Sequence, residues 1–187
     1  MQIAAHTLER RDADMRAALE MWLRLQQHES EIRLIHEFVI PRPSARIDLA
    51  LINGRISGYE IKSDVDSLSR LPAQMHSYSK IFEHLSFVTT ERKSKSILQK
   101  TPEWCGVITI SREGRFKTLR KMKLNRNVDA KCLLYSLDKV SIGKIVKTEL
   151  PKKYNRSFKK KELIEICLKN MAKSKIIKAC RNTLKAA

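Results

Sequence analysis

An acid and a lysine, Glu60 and Lys62, stand two residues apart in the segment "GYEIK", which has the alternating pattern of a β-strand. Side chains two residues apart on a strand lie on the same face, so these two groups are neighbours. They either form an ion pair on a solvated face, or belong to a site where the acid holds a cation and the lysine contacts an anion. Tyr59 and Ile61 point to the other face and suit a hydrophobic core.

The register of one hairpin decides whether Glu60 has an acidic partner. The apolar runs on either side of Asn53-Gly54 predict two paired strands. A two-residue turn would put Asp48 and Glu60 on opposite faces of the sheet. A three-residue loop with a left-handed glycine pairs Ile52 with Ile56 and places Asp48 directly across from Glu60.

Hydrophobic patterning favours the three-residue loop. In that register one face carries only apolar and aromatic residues: Ile47, Leu49, Leu51, Tyr59 and Ile61. The other face carries Asp48, Glu60 and Lys62. Carboxylates directly across a strand pair have Cβ atoms about 5 Å apart and repel each other unless a proton or a cation compensates. From spacing alone, a metal site and a solvated face both remain open.

The surrounding pattern predicts the elements that position these residues. A helix over 12–27 is followed by a strand over 32–40, the hairpin, a helix containing Pro72, a strand "SFVTT", a helix over 93–100 and a strand "GVITIS". This order predicts an α/β (α+β) fold, a mixed sheet with helices on its faces. After a linker near 121–127 the chain reads as lysine-rich helices. We therefore divide it into a core, 1–122, and a small basic helical C-terminal region, 123–187.

Charge is distributed unevenly along the chain. The net charge is +18; residues 1–90 hold 11 Lys and Arg against 12 Asp and Glu, whereas residues 91–187 hold 27 against 8. A basic half predicts a polyanionic partner, of which nucleic acid is the commonest; a lysine-rich solvated surface is the alternative. The chain has no signal-peptide pattern and no apolar run of membrane-spanning length, so we expect a cytoplasmic protein without membrane contact. The four cysteines lack metal-ligand spacing and are expected to be small buried hydrophobes.

The motifs together resemble the PD-(D/E)XK nuclease superfamily, whose fold is restriction-endonuclease-like. Its signature is an acid, a hairpin and then acid-x-lysine, matched here by Asp48, Glu60 and Lys62, with "RID" at the first position. Downstream, "QMHSY" is similar to the QxxxY motif of the branch that includes the RecB nucleases, with Gln74 and Tyr78 on one helix face. The stretch is also similar to an uncharacterised bacterial and phage family of small proteins. The resemblance covers about residues 12–110.

This resemblance implies a role for each matched residue. Asp48 and Glu60 would hold Mg²⁺ or Mn²⁺, helped by the backbone carbonyl of Ile61. Lys62 would orient water and stabilise charge on the phosphate, and Gln74 and Tyr78 would position the strand or support the metal site.

Several other acids are candidates for lesser roles. A further metal ligand is expected from the preceding strand, where Glu37 is the candidate, ahead of Glu31 and Glu20. Asp64 and Asp66 lie before a helix and are expected to be N-caps. Arg46 is expected to point away from Asp48.

The basic C-terminal region loosely resembles helix-extended-helix DNA-binding appendages. Its candidate phosphate contacts flank a helix start for which Ser157 is the expected N-cap: Lys152, Lys153, Arg156, Lys159, Lys160 and Lys161. Aromatic residues are too sparse there for a single-strand stacking platform.

The sequence thus predicts a Mg²⁺-dependent nuclease that hydrolyses phosphodiester bonds, with DNA favoured over RNA as the partner. A homodimer would suit duplex cutting, although no residue argues for one. Three alternatives stay open: a non-catalytic nucleic-acid-binding protein with this fold, an RNase or toxin-like effector, and an assembly protein of a phage or mobile element.

Overall fold

The structure, a computed structural model, describes residues 12–26 and 32–186. Its strands are β1 (Arg33–Pro41), β2 (Ser44–Ile52), β3 (Ile56–Lys62), β4 (His84–Thr89), β5 (Gly106–Ile110) and β6 (Phe116–Arg120). Its helices are α1 (Asp12–Gln26), α2 (Leu71–Tyr78), α3 (Glu91–Lys100), α4 (Ala130–Ser136), α5 (Lys139–Glu149), α6 (Lys160–Asn170) and α7 (Lys173–Ala186), with a 3₁₀ turn at Pro151–Lys153. None of the helices in these ranges is long and apolar enough to cross a membrane.

The six strands form one sheet in sequence order, β1 to β6. The first three strands pair antiparallel, β3, β4 and β5 pair parallel, and β6 returns antiparallel to β5. Parallel neighbours need a crossover connection, and α2 and α3 supply the two that this sheet requires. The predicted mixed sheet with flanking helices is therefore confirmed. Glu60 and Lys62 lie on β3, an interior strand.

Helices cover both faces of the sheet. On one face α1 buries Met15, Leu19 and Leu23, whose spacing of four residues makes a single apolar stripe. Trp22 of the same helix stacks on Phe116 of β6 at 5.0 Å between ring centroids. The other face packs against residues of α2 and of the C-terminal helices. Burial on both faces explains why β3 is buried along its whole length.

The C-terminal helices share their core with the sheet. Leu133, Ile164 and Ile176 belong to the same hydrophobic cluster as Phe38 of β1 and Leu85 of β4. The predicted boundary at residues 122 and 123 therefore marks a change in charge and secondary structure, while packing continues across it.

A buried ion pair adds a second connection across that boundary. Arg181 of α7 donates to the Glu83 carboxylate at 2.7 and 3.1 Å. Glu83 is only 5% exposed, and it also accepts from the Ile56 amide at 2.9 Å.

Three local predictions need correction. The sequence does not predict β6, because "FKTLR" has only half-buried and exposed positions and so lacks a buried-strand pattern. Among the lysine-rich helices expected after the linker, residues 129–140 carry one continuous helical pattern. The helix nevertheless breaks at Leu137, because Asp138 caps a new helix through the Ser141 amide. Helix α6 begins after Lys159, whose amide donates to Glu162, while Ser157 donates instead to Asn155.

Side chains along β1 and β2 alternate between the two faces of the sheet, but this alternation shifts by one residue at Glu37 in β1 and at Asp48 in β2. We call this shift the phase change. Leu49 and Leu51 share a buried face with Tyr59 and Ile61, as predicted, and α1 packs on this face. Ile47 packs instead on the opposite face with Ala50 and Ile52. The β1–β2 pairing keeps one register on both sides of Glu37 and Asp48, and Glu37 has a φ of 51°. The left-handed backbone at Glu37 marks the point in β1 where the alternation changes, opposite Asp48 of β2. The predicted placement of Ile47 beside Leu49 is therefore wrong.

Gly58 of β3 accommodates this change. A Cβ at that position would lie 2.6 Å from Ile47 Cδ1 and 2.8 Å from the Phe82 ring. Only glycine permits so close an approach.

Candidate functional site

The candidate site is built around a buried acid–lysine pair. Glu60 is 3% exposed and Lys62 is 5% exposed. The Lys62 Nζ donates to Glu60 Oε1 at 2.6 Å, as expected for two side chains on one face of a strand. Burying charges costs several kcal/mol unless they are paired and hydrogen-bonded, so the pair needs further partners. The solvated-face alternative is thereby removed.

Helix α2 supplies those partners from one of its faces. Gln74 Nε2 donates to Glu60 Oε1 at 2.6 Å, and the Tyr78 hydroxyl donates to Glu60 Oε2 at 2.7 Å. Burial and then the neighbouring Glu60 carboxylate raise the pKa of Tyr78 well above its ordinary value. The hydroxyl therefore keeps its proton and remains a donor at all physiological pH values. The structure brings together four of the predicted site residues: Glu60, Lys62, Gln74 and Tyr78.

One buried acceptor in this cluster has no partner. Gln74 Oε1 is buried and accepts no hydrogen bond among the residues that the structure describes. A buried polar atom left in this state costs about 1–3 kcal/mol. It is therefore the natural acceptor for a bound water or a donor on a ligand.

Asp48 reaches β3 through a backbone amide. The predicted hairpin register is confirmed, since Ile52 pairs with Ile56 across a loop in which Gly54 has a φ of 93°. The paired ladder ends at Leu49, and the next residue, Asp48, accepts instead from the Ile61 amide through Oδ2 at 2.7 Å. The Asp48 carboxylate thus contacts the backbone of β3 one residue after Glu60.

A second set of charges surrounds Asp48. Arg16 of α1 donates to Asp48 Oδ1 at 3.0 Å and also to Glu37 Oε1. Glu37 forms a further ion pair with Arg46 Nε at 2.5 Å. The predicted ligand Glu37 therefore lies beside Asp48, held there by Arg16. The expectation that Arg46 points away from Asp48 needs correction, because its side chain pairs with Glu37, which Arg16 joins to Asp48. The Arg46 carbonyl also accepts from the Tyr78 hydroxyl at 2.8 Å.

Arg16 is the site residue that sequence reasoning missed. It lies on α1, far from the motifs, and only a weak signal existed: Arg16, Glu20 and Arg24 form a polar stripe at intervals of four beside the apolar stripe. Glu20, a lesser candidate ligand, instead pairs with Arg24 at 2.8 Å and with His36 at 3.0 Å. Glu31 lies outside the described residues.

Asp64 and Asp66 are not N-caps of α2, which begins after Arg70. Asp66 accepts from both the amide and the hydroxyl of Ser63, at 2.7 and 2.6 Å, and Asp64 accepts from Thr90 at 2.6 Å. They organise the turns where β3 and β4 end.

The donor types at the site fit a hard divalent cation. Asp48 and Glu60 offer carboxylate oxygens, the Ile61 carbonyl is a third candidate, and the orphaned Gln74 Oε1 is a further oxygen donor. No cluster of three or more His, Cys, Asp or Glu side chains capable of holding a metal occurs in the described part of the chain. Arg16 already neutralises Asp48, so a cation would compete with a guanidinium.

The six basic candidates of the C-terminal region do not form one group. Lys152 and Lys153 lie exposed in the 3₁₀ turn, and Arg156 is exposed in the loop that follows. Lys160 is half-buried, because its Nζ donates to the Tyr135 carbonyl at 2.8 Å. Lys159 and Lys161 flank it at the exposed start of α6.

The fold and site define a mixed α/β protein whose central sheet buries an acid–lysine pair beneath a helix. The chain belongs to the family described as bacteriophage P4 protein cII, whose model matches residues 6–187. It is 32% identical over 114 residues to "Protein cII" of Enterobacteria phage P4, an alignment covering 59% of this chain and 43% of that one. The chain thus spans less than half the length of this curated relative.

A solved structure, the SPO1766 protein of unknown function from Silicibacter pomeroyi, is similar at a TM-score of 0.45. Its sequence identity is 15%, and the match covers 78% of this chain and 94% of that one.

Proposed function

We propose that this chain is a metal-dependent nuclease that hydrolyses phosphodiester bonds in DNA. The observation that carries the proposal is the convergence of Lys62, Gln74 and Tyr78 on the buried Glu60 carboxylate. Buried ionic networks of this kind are weak contributors to stability compared with hydrophobic packing, and they cluster at functional sites. The resemblance of these same positions to the PD-(D/E)XK nucleases gives the reaction class.

Each residue has a role that its position supports. Asp48 and Glu60 would hold Mg²⁺ or Mn²⁺, with the Ile61 carbonyl and Glu37 as further oxygen donors. The metal supplies Lewis-acid activation of water and of the phosphate. The Lys62 amine would donate to a phosphate oxygen. Gln74 and Tyr78 hold the Glu60 carboxylate in place. Gln74 Oε1 stays available to orient a water.

The test uses substitutions that keep the approximate size of each side chain. Asp48→Asn keeps an oxygen acceptor for the Ile61 amide, and Lys62→Met keeps the length of the buried chain. The wild-type protein is incubated with supercoiled, linear and single-stranded DNA and with tRNA, in Mg²⁺, in Mn²⁺ and in EDTA. We expect DNA cleavage only with a metal, and its loss in both variants.

A matched control separates a site effect from a general charge effect. Glu103→Gln removes an acid that is 90% exposed and lies 3.7 Å from Lys123, away from the site. It should cleave like the wild type, and circular dichroism should show that all variants are folded. Cleavage that persists in EDTA, or in either site variant, would refute the assignment.

One observation favours a second candidate, a nucleic-acid-binding protein of the same fold without catalysis. Arg16 already pairs with Asp48 and Glu37, which leaves the acids balanced by protein cations. DNA binding that is unaffected by metal, with no cleavage of any substrate in the panel, would support this candidate instead.

A further inference from the structure

Two cavities flank a short segment between α5 and α6. The first, of about 440 Å³, lies against α5, and the second, of about 500 Å³, lies against α6. Tyr154 and Asn155 line both cavities and form the wall between them. Asn155 is fixed in a turn, since its Oδ1 accepts from the amide and hydroxyl of Ser157 at 2.9 and 2.8 Å. The two cavities are therefore neighbours that share one wall, and we call them together the α5–α6 groove.

The charged side chains that line the α5–α6 groove are all cationic. They are Lys139, Lys144, Lys147 and Arg156 on the first side and Lys152, Lys153 and Lys169 on the second. Among the residues that the structure describes, none of these seven forms an ion pair with a carboxylate. Unpaired like charges repel, so the groove favours a polyanion.

Four of the five acids in residues 123–187 are used elsewhere. Asp129 and Asp138 cap α4 and α5, and Glu162 caps α6. Glu149 pairs with Lys175 at 2.8 Å. Residues 123–187 hold 18 Lys and Arg against 5 Asp and Glu, so capping and pairing consume most of the negative charge and leave the groove positive.

The two aromatic residues that line the groove, Tyr154 and Phe158, are half-buried packing residues and not a stacking platform. Tyr154 is half-buried and lies over Gly143 of α5, where a Cβ would be 3.6 Å from Tyr154 Cε2. Recognition of single strands relies on exposed aromatic faces, whereas contact with a duplex backbone needs only cations at the phosphates.

We propose that the α5–α6 groove binds the phosphate backbone of duplex DNA. Lys139, Lys144 and Lys147 line the cavity against α5, and Lys152, Lys153 and Lys169 line the cavity against α6. This binding site lies on elements outside the acid–lysine site. It goes beyond the proposed nuclease activity, because DNA can bind here whether or not it is cleaved.

The test is fluorescence anisotropy with short labelled duplex DNA in EDTA, so that catalysis plays no part. Binding is measured over a range of salt concentrations for the wild type and for Lys139→Gln/Lys144→Gln/Lys147→Gln. The matched control, Lys95→Gln/Lys117→Gln/Lys121→Gln, removes three exposed lysines elsewhere. Thermal unfolding verifies that both triple variants are folded.

We expect the groove variant to bind more weakly. The slope of log K against log salt should become shallower by about 0.9 for each phosphate that the variant no longer neutralises. The control variant should keep the wild-type slope. Equal reductions of affinity in the two variants would overturn the proposal, because they would show a response to net charge alone.

Two further probes test the choice of ligand. Tighter binding of single-stranded DNA of equal length than of the duplex would overturn backbone contact in favour of stacking. Tighter binding to anionic phospholipid vesicles, abolished in the same groove variant, would overturn it in favour of a membrane surface. A failure of cleavage with intact duplex binding would contradict the proposed nuclease activity and leave the groove proposal standing.

Discussion

The Tyr78 hydroxyl has one proton and two acceptors within reach. Glu60 Oε2 lies 2.7 Å away and the Arg46 carbonyl 2.8 Å away, so the residue ties β2 and β3 to α2 at one atom. Glu60 is only 3% exposed, and in such a weakly solvated region an unsatisfied group costs more than a hydrogen bond gains. Tyr78 therefore serves the order of the site as well as the hydrophobic core.

Tyr78→Phe is expected to lower the free energy of unfolding by about 1–3 kcal/mol, because the ring stays while a buried hydrogen bond is removed. Chemical denaturation measures the change. Tyr135→Phe is the control, since its hydroxyl has no hydrogen bond in the described structure, and it should change stability by less than about 0.5 kcal/mol. Equal effects of the two substitutions would mean that the Tyr78 hydroxyl contributes nothing to the network.

Arg16 and a divalent cation are expected to compete for Asp48 and Glu37. In Arg16→Met the acids lose their guanidinium, so Mg²⁺ should raise the melting temperature of the variant more than that of the wild type. A cation at about a hundredfold excess over its Kd adds about 2.7 kcal/mol of stability. Thermal unfolding with and without Mg²⁺ measures this without reference to cleavage.

Arg24→Met is the matched control for that experiment, because Arg24 lies on the same helix and pairs with Glu20 instead of with Asp48 or Glu37. It should show the wild-type response to Mg²⁺. An identical response of the Arg16 variant would count against a metal at Asp48.

At the scale of elements, the phase change in β1 and β2 shapes the site. It places Ile47 on the same face as Phe82. The Ile61 amide then donates to the Asp48 carboxylate. In a regular hairpin that amide would donate to a backbone carbonyl. The polar side chains around Asp48 thus lie at the irregular point of the sheet.

Helix caps in the basic region can be tested through pH. The Ser141 amide, which donates to Asp138 at 2.7 Å, is the main cause of a lowered pKa of Asp138. A lowered folded pKa means that the stabilisation is present above the ordinary carboxyl pKa and is lost as pH falls through the folded value. Asp138→Ala should therefore lower stability by about 1 kcal/mol at neutral pH, and by progressively less in acid.

Asp138→Asn is the informative companion, because asparagine caps a helix without titrating. Its advantage over Asp138→Ala in denaturation experiments should be independent of pH. If the aspartate and asparagine proteins showed the same acid profile, the cap would not be the source of the pH dependence.

At the scale of the whole molecule, a nearly neutral half and a basic half of the chain share one hydrophobic core. The first half of the chain is nearly neutral and carries the acid–lysine site, while the second half is strongly basic and carries the groove. The two halves pack together through one hydrophobic cluster and through the Glu83–Arg181 ion pair.

A fragment of residues 1–122 is consequently expected not to fold cooperatively. Without α4 to α7 the sheet would expose Phe38 and Ile40, and Glu83 would lose its Arg181 partner. Thermal and chemical unfolding of the fragment, with a fluorescent probe of exposed apolar surface, measures this. Arg181→Met in the full chain shows what loss of the ion pair alone does. A sharp two-state transition in the fragment would contradict a shared core.

The sequence by itself determined most of the local structure and the composition of the site. Binary patterning and turn chemistry placed α1, the hairpin register and the alternating sheet and helices, because these depend on neighbours in the chain. The same local rules missed β6, whose pattern is too exposed, and the break before α5, where one cap outweighs a continuous helical pattern.

Only the tertiary structure decided what surrounds the site. Arg16 contacts Asp48, which is 32 residues away in the sequence, and Arg181 contacts Glu83, which is 98 residues away. Such contacts depend on how helices dock on the two faces of the sheet, which no short-range periodicity encodes. The orphaned Gln74 oxygen and the groove between α5 and α6 arise in the same way, because burial and concavity are properties of packed elements.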